Sequence, residues 1–378
     1  MRAASIFAGI GGFELGFHQA GINTVYTCEI DAAARSVLRN NFGNGKIDSD
    51  IRRVADLPQT DIVVAGFPCQ DLSSVGKKDG ISGRNSSLID EVFRLVEKGR
   101  PEWVILENVY FMLHLKKGAG IKKIVETFRR LGYRWAYRTV DSQSFSLPQR
   151  RRRVFVVASL NGDPRAVLLS DRVSLPKNDV NKAKALGFYW TEGTRALGLA
   201  PDAIPPLKGG SGLGIPSAPA ILRSDRTAIT PDIRDAERLQ GFPEDWTKCV
   251  EVDHKPGVRW RLIGNAVTVP VARWIGENLE RTGHYVGAAD YLFSPGSGTW
   301  PNCAWGGFDD GIYVPHGVTD WPLAPTQRGV EEFLKWPGKP LSQRATMGFL
   351  QRASKSKLRF PDGFISALEE HVDNITTS

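Results

Sequence analysis

Cysteine is scarce in this chain of 378 residues, and its four copies, Cys28, Cys69, Cys249 and Cys303, stand far apart. With no CxxC and no Cys/His grouping, neither a disulfide framework nor a zinc site is expected, and no metal is assigned. No apolar run approaches the roughly 18 residues of a membrane span. The start MRAASIFAGIGG lacks the charged region, apolar stretch and cleavage site of a signal peptide. A soluble, unexported chain with reduced thiols and a cytoplasmic address is the expectation. Internal repeats are absent, and so is a polybasic tail. Lys and Arg number 49 against 41 Asp and Glu, a net charge of +8 that permits attraction to a polyanion without demanding it. A complete GxGxxG is missing as well, because Gly9 and Gly11 are followed by Glu14, which disfavours a dinucleotide pyrophosphate.

What is present is strand and helix in alternation. Ala3 to Ala8 is a short apolar run meeting Gly9, Gly11 and Gly12, and Phe13 to Ala20 then reads as a helix stopped by Gly21. Strand signals follow at Asn23–Cys28, Asp61–Ala65, Trp103–Leu106 and Val154–Ala158; helices are expected over Ser87–Lys98 and Ile121–Leu131, whose apolar residues fall on one face. The pattern predicts an α/β, doubly wound, Rossmann-like sheet. After Ser159 the chain turns rich in Pro, Gly and Lys with little periodicity, until a compact helix candidate in TPDIRDAERLQGFPEDW and a second helix over Leu262–Thr282. Beyond Gly283 lies a tail with Trp300, Trp305, Trp321 and Trp336 and the basic segment SKSKLRF.

In such a sheet, working residues gather at the carboxyl ends of the strands. Four ends carry unusual residues: AGIGG, then Glu29, then GFPCQ, then ENV. Glu29 has the place of a ribose-binding carboxylate, or is a surface acid. Cys69 is either a small buried hydrophobe or a soft nucleophile. Glu107 follows the apolar WVIL, so it is a proton donor or a capping, Arg-paired acid. In QRRRR, alternation sends Arg151 and Arg153 to one face and Arg150 and Arg152 to the other, unless the run is simply solvated. The polar, glycine-rich stretch from Asp71 to Ser87 has the length of a mobile lid.

AGIGGF, EID, GFPCQDLS, ENV, QRRRRVFVV, ERLQGFP and GNAV, in this order and spacing, resemble the cytosine-C5 DNA methyltransferases from Ala4 to about Glu280. The resemblance implies that S-adenosylmethionine lies over Phe7, Gly9, Gly11 and Gly12, with Glu29 on its ribose, Ile30 and Asp50 on its adenine, and Pro68, Leu88 and Asn265 completing the pocket. It implies Cys69 as the nucleophile at carbon 6 of a flipped-out cytosine, Glu107 at ring nitrogen 3, and Arg153, with Arg151 as neighbouring candidate, at the carbonyl oxygen. Gln70, Ser73 and Val75 would face duplex DNA, and Glu237 and Arg238 are placed with the DNA-binding set through the motif that organises the recognition region. The implied domains are 1–160 for catalysis and cofactor, 161–257 for target recognition, 258–282 as a helix returning to the catalytic domain, and 283–378 as a C-terminal extension, expected to pack against the catalytic domain.

Because Met1 stands only six residues before Phe7, a bacterial or phage modification enzyme is expected, monomeric and paired with a separately acting restriction endonuclease. The rivals are an RNA cytosine methyltransferase, whose Cys-Phe-Thr segment is not evident; a DNA-binding regulator without catalysis, which Cys69, Glu107 and Asn265 argue against; and a nicotinamide oxidoreductase.

Overall fold

The computed structural model describes residues 1–43, 45–68, 87–173, 183–194, 196–210, 218–255, 257–280, 285–296, 299–324 and 328–376. They fall into two compact units: Met1–Ser144 with Arg152–Ser174 and Val267–Ala324, and Phe145–Arg151 with Leu175–Ala266 and Pro325–Ser378. Among the described residues no helix is long and apolar enough to cross a membrane.

The first unit is built on one ten-stranded sheet. Its parallel half comprises β1 (Arg2–Ile6), β2 (Asn23–Cys28), β3 (Ile47–Asp48), β4 (Ile62–Gly66) and β5 (Trp103–Val109), in the order β3-β2-β1-β4-β5. The order reverses between β1 and β4, which opens a crevice at their carboxyl ends. Both faces are covered. Ala4, Ile6, Val63, Ala65, Val104 and Leu106 join a core with α3 (Leu88–Gly99) and α4 (Ala119–Arg130). On the opposite face α1 (Gly12–Gln19) packs on α8 (Val269–Leu279), and Phe13 meets Phe155 edge-on at 6.5 Å. The helix α2 (Ala32–Phe42) starts at Asp31, whose carboxylate accepts from the amides of Ala33 and Ala34. Ser87 and Asp90 form a reciprocal cap at the start of α3.

Beyond β5 the sheet turns antiparallel. β7 (Arg152–Ser159) runs antiparallel to both β5 and β6 (Arg134–Asp141), a strand the sequence reading passed over. The tail then adds β13 (Cys303–Gly306) antiparallel to β6, β14 (Ile312–Val314) and β12 (Tyr291–Leu292). A short α5 (Pro164–Leu168) follows β7.

The second unit is less irregular than its composition suggests. It holds a small antiparallel sheet of β9 (Ala200–Pro201), β8 (Leu186–Phe188), β10 (Ala220–Leu222), β11 (Ala228–Thr230) and β15 (Lys339–Pro340). The tail also supplies α9 (Val330–Phe333), α10 (Gln343–Ser354) and α11 (Phe364–Thr376), and Phe349 and Phe364 pack on Phe188 at 5.1 and 5.2 Å. The expected helix over Leu262–Thr282 is two helices. α7 (Val258–Asn265) ends at an extended Ala266, and α8 restarts after an extended Thr268 with Pro270 in its first turn. Proline fits a first turn, where its missing N–H is not needed, but not a helix interior.

Candidate active site

Four strand ends, those of β1, β2, β4 and β5, carry the candidate residues. After β1 the chain turns through Phe7 (φ +57°), Gly9 (φ +57°) and Gly11 (φ +92°) into α1. A bulky side chain in the left-handed region costs on the order of 1–2 kcal/mol, so Phe7 is strained, and it is held by packing against the main core. Gly12 has a different reason: a Cβ there would lie 2.4 Å from the carbonyl oxygen of Val267, so glycine lets α1 seat against the segment that enters α8.

Glu29 closes the turn from the end of β2. Its Oε2 accepts from the Gly9 amide at 2.7 Å and its Oε1 from the Asp31 amide at 2.8 Å. Two backbone donors fix the carboxylate plane while each oxygen keeps a lone pair. Burial raises the Glu29 pKa, opposed by those two hydrogen bonds. A Cβ on Gly9 would meet nothing within 4 Å, so space adjoins this carboxylate. Ile30 beside it leaves an apolar side chain 64% exposed. Asp50 is held by Arg52, whose guanidinium lies 2.8 Å away, and that hydrogen-bonded pairing lowers its pKa. Pro68 is exposed at the end of the β4 turn, and Leu88 is half-buried at the start of α3, against the core.

Glu107 lies in β5, 9% exposed. In the β5–β7 register Val109 stands opposite Arg153, so Glu107, two residues before Val109 on the same face, is its diagonal neighbour. The Arg153 Nε is 3.2 Å from Glu107 Oε1, an ion pair largely withdrawn from solvent. Gly66 faces this pair across β4, where an added Cβ would sit 3.3 Å from Glu107 Oε2. Asn108 points the other way. Its Nδ2 donates to the Phe67 carbonyl at 2.9 Å and its Oδ1 accepts from the Val109 amide, tying the end of β5 to the turn that leads to residue 69. Sequence reasoning gave Asn108 no role of its own, although it sits inside the ENV motif.

Cys69, Gln70, Ser73 and Val75 lie outside the described residues. The other three cysteines are free thiols, and burial is the main cause of a raised pKa at each: Cys28 and Cys303 to about 12, and Cys249 upward. None of these three is set up as a thiolate at neutral pH.

Arg151 and Asn265 belong to the second unit. The buried Arg151 guanidinium donates to the carbonyls of Leu207 at 3.0 Å, Gly264 at 3.2 Å and Ala266 at 2.8 Å, which pins the end of α7. Asn265 is exposed and lies against Gly209.

Glu237 requires a correction, because it is not a DNA-facing group; Arg238, its side chain 29% exposed, also bonds within the second unit. Glu237 is wholly buried, accepting from the Thr247 amide at 2.8 Å and from Arg259 Nη2 at 2.9 Å. A buried carboxylate offers a phosphate nothing but repulsion. Arg238 donates to Asp235 and to the Phe333 carbonyl and stacks over the Phe333 ring, joining α6 (Ile233–Leu239) to α9. Their work is internal to the second unit.

The family model described as C-5 cytosine-specific DNA methylase matches residues 1–197 and 224–281. The chain belongs to this family. As such it is a DNA cytosine-5-methyltransferase. Among relatives of this methylase, Type II methyltransferase M2.BsuMI of Bacillus subtilis (strain 168) is 46% identical, aligned over 99% of this chain and 98% of the relative. Type II methyltransferase M.BsuFI of Bacillus subtilis is 29% identical over 71% of this chain and 69% of the relative. The crystal structure of S. pombe Dnmt2 methyltransferase is 18% identical over 74% of this chain and 98% of the other, with a TM-score of 0.57, a likeness of fold. The M2.BsuMI alignment takes in the tail that the family model leaves out.

Proposed function

We propose that this methylase uses S-adenosylmethionine to methylate carbon 5 of a cytosine flipped out of a specific duplex DNA sequence, through a covalent Cys69 adduct at carbon 6. The observation that carries the reading is the Glu107–Arg153 pair, 3.2 Å apart at the carboxyl end of β5, with Asn108 tying that end to the turn before Cys69.

The residues present fit the cofactor. Glu29, oriented by two amides beside open space, suits a pair of ribose hydroxyls; Ile30 and Asp50 suit the faces and edge of an adenine; Phe7, Gly9, Gly11, Gly12, Pro68 and Leu88 would line the remainder, and Asn265 is a further candidate for the cofactor. When bound, S-adenosylmethionine supplies the sulfonium-activated methyl group that carbon 5 takes up.

The chain's own residues make carbon 5 receptive. The Cys69 thiolate adds to carbon 6, and Glu107 delivers a proton to ring nitrogen 3, so the electron pair of the 5,6 double bond gathers at carbon 5 rather than as ring charge. Arg153 holds the Glu107 carboxyl in place and donates to the cytosine carbonyl oxygen. After methylation the carbon 5 proton leaves to a base, the thiolate is expelled from carbon 6, the proton on ring nitrogen 3 returns to Glu107, and 5-methylcytosine is released. The base reaches this site only unstacked, at a cost of a few kcal/mol; Gln70, Ser73 and Val75, from the segment after the nucleophile, would contact the DNA it leaves.

The relatives' names, Type II methyltransferases, support a restriction-modification role; in that role a monomeric, cytoplasmic methylase would protect host DNA beside a separately acting endonuclease. Bisulfite sequencing of DNA from a host expressing this chain tests the reading. Protected cytosines in one fixed sequence context are expected, and their absence would overturn it.

A further inference from the structure

We infer that the loop from Tyr110 to Gly118 is a DNA-holding element, with Lys116 and Lys117 against backbone phosphates and Phe111 against the sugar and base surface of the same duplex. The inference deepens the proposed function and rests on it. The loop leaves β5 only two residues after Asn108, as two 3-10 turns, Tyr110–Leu113 and Leu115–Gly118. It therefore sits at the carboxyl edge of the sheet, where the cytosine-handling residues are.

Three features single it out. First, Lys116 (φ +48°) and Lys117 (φ +57°) are consecutive left-handed residues that are not glycine. Each costs on the order of 1–2 kcal/mol, and strain of this kind persists where surrounding structure over-determines it, commonly at functional sites. The surroundings do so here. A Cβ on Gly118 (φ +79°) would lie 2.0 Å from Trp300 Cδ1, so the turn is moulded against that indole. At the other end the Arg152 guanidinium stacks 4.1 Å over the Tyr110 ring and pairs with Asp320 at 2.8 Å, while the Tyr110 hydroxyl meets Asn302 at 3.2 Å. Met112 and Leu113 anchor the middle in the core.

Second, Phe111, between a half-buried Tyr110 and a buried Met112, is 59% exposed. Third, the charge has one sign: residues 110–125 contain four lysines and no acidic residue. Lys116 and Lys117 are both exposed at the strained turn.

The test is the salt dependence of binding to a fluorescein-labelled duplex of about 30 base pairs, for the full chain and Lys116→Gln/Lys117→Gln. Losing two phosphate contacts lowers the slope of log affinity against log salt by about 1.8, at roughly 0.9 per contact; Lys117→Gln alone lowers it by about half that. Phe111→Ala weakens binding at every salt concentration with the wild-type slope, since an apolar contact releases no counterion. The charge-matched control Lys98→Gln/Arg130→Gln removes exposed cations paired with Asp56 and Glu97 and keeps the wild-type slope. A double lysine variant with the wild-type slope, or an equal fall in the control, overturns the inference while leaving the methylase reading intact. Wild-type protein with no salt-dependent duplex binding overturns both.

Discussion

Glu14 carries a consequence for stability that can be worked through. It lies in the first turn of α1, two residues after Gly12, and is only 3% exposed. Burial is the main cause of a pKa raised from 4.5 to about 7, opposed by the neighbouring Ser5 hydroxyl and reinforced by the like charge of Glu29. A carboxyl that holds its proton more tightly when folded favours the folded state below pH 4.5. That advantage is lost steadily as pH rises to about 7, and stays lost above. At about 1.4 kcal/mol per unit, ionising Glu14 in place costs about 3 kcal/mol. Glu14→Gln keeps the shape and cannot ionise. Its stability relative to wild type, from urea denaturation followed by tryptophan fluorescence, should therefore grow by about 3 kcal/mol between pH 4.5 and 8.5. Taking the difference between the two proteins cancels the titrating groups that do not interact with Glu14. A difference that stays flat with pH, or that shrinks, would refute a buried, proton-retaining Glu14.

Asn108→Ala removes the bond that ties β5 to the Phe67 turn; a loss of about 1–3 kcal/mol corresponds to kcat falling roughly 5- to 150-fold in a tritiated-methyl transfer assay, and an unchanged kcat would remove Asn108 from the positioning set. Glu237→Gln leaves Arg259 buried without its principal counter-charge and should destabilise the second unit by about 3–5 kcal/mol, whereas the paired change Glu237→Leu/Arg259→Met should recover much of this in the same denaturation experiment. Gly12→Ala drives a Cβ to 2.4 Å from the Val267 carbonyl; the forced shift should cost about 1–3 kcal/mol, lower the melting temperature and weaken S-adenosylmethionine binding by calorimetry together.

The parallel half of the sheet was legible because its strands are buried on both faces and read as continuous apolar runs, DIVVA and WVIL among them, each ending in a glycine or an acid. β6 was not, since RWAYRTVD interleaves Arg, Thr and Asp with its apolar residues; Arg138 is buried only because it donates to the carbonyls of Thr319, Leu168 and Asp171, partners that no local pattern reveals. The break between α7 and α8 was hidden by the four-residue repeat of Val267, Val271, Ile275 and Leu279, which outweighed Pro270. At the site, β7 starts only at Arg152, so the alternation expected through QRRRR begins there: Arg152 and Arg153 meet different partners, Asp320 and Glu107, while Arg151 precedes the strand and bonds to Leu207, Gly264 and Ala266 instead of sharing a strand face with Arg153. What a motif could not disclose was direction of use: Glu237 and Arg238 sit in a recognition-region motif yet bond inward, and Tyr110, Asn302 and Asp320 meet only because the tail returns to the large sheet.

The central claim is that Cys69 forms a covalent bond to the cytosine being methylated. Duplex DNA carrying 5-fluorocytosine at the position identified by bisulfite sequencing tests it directly, because carbon 5 then bears no removable proton and the thiol cannot be expelled. With S-adenosylmethionine present, a protein–DNA adduct stable to denaturing electrophoresis is expected, abolished in Cys69→Ala. Ordinary DNA methylated under the same conditions with no trapped adduct, or an adduct that persists in Cys69→Ala, would contradict the account.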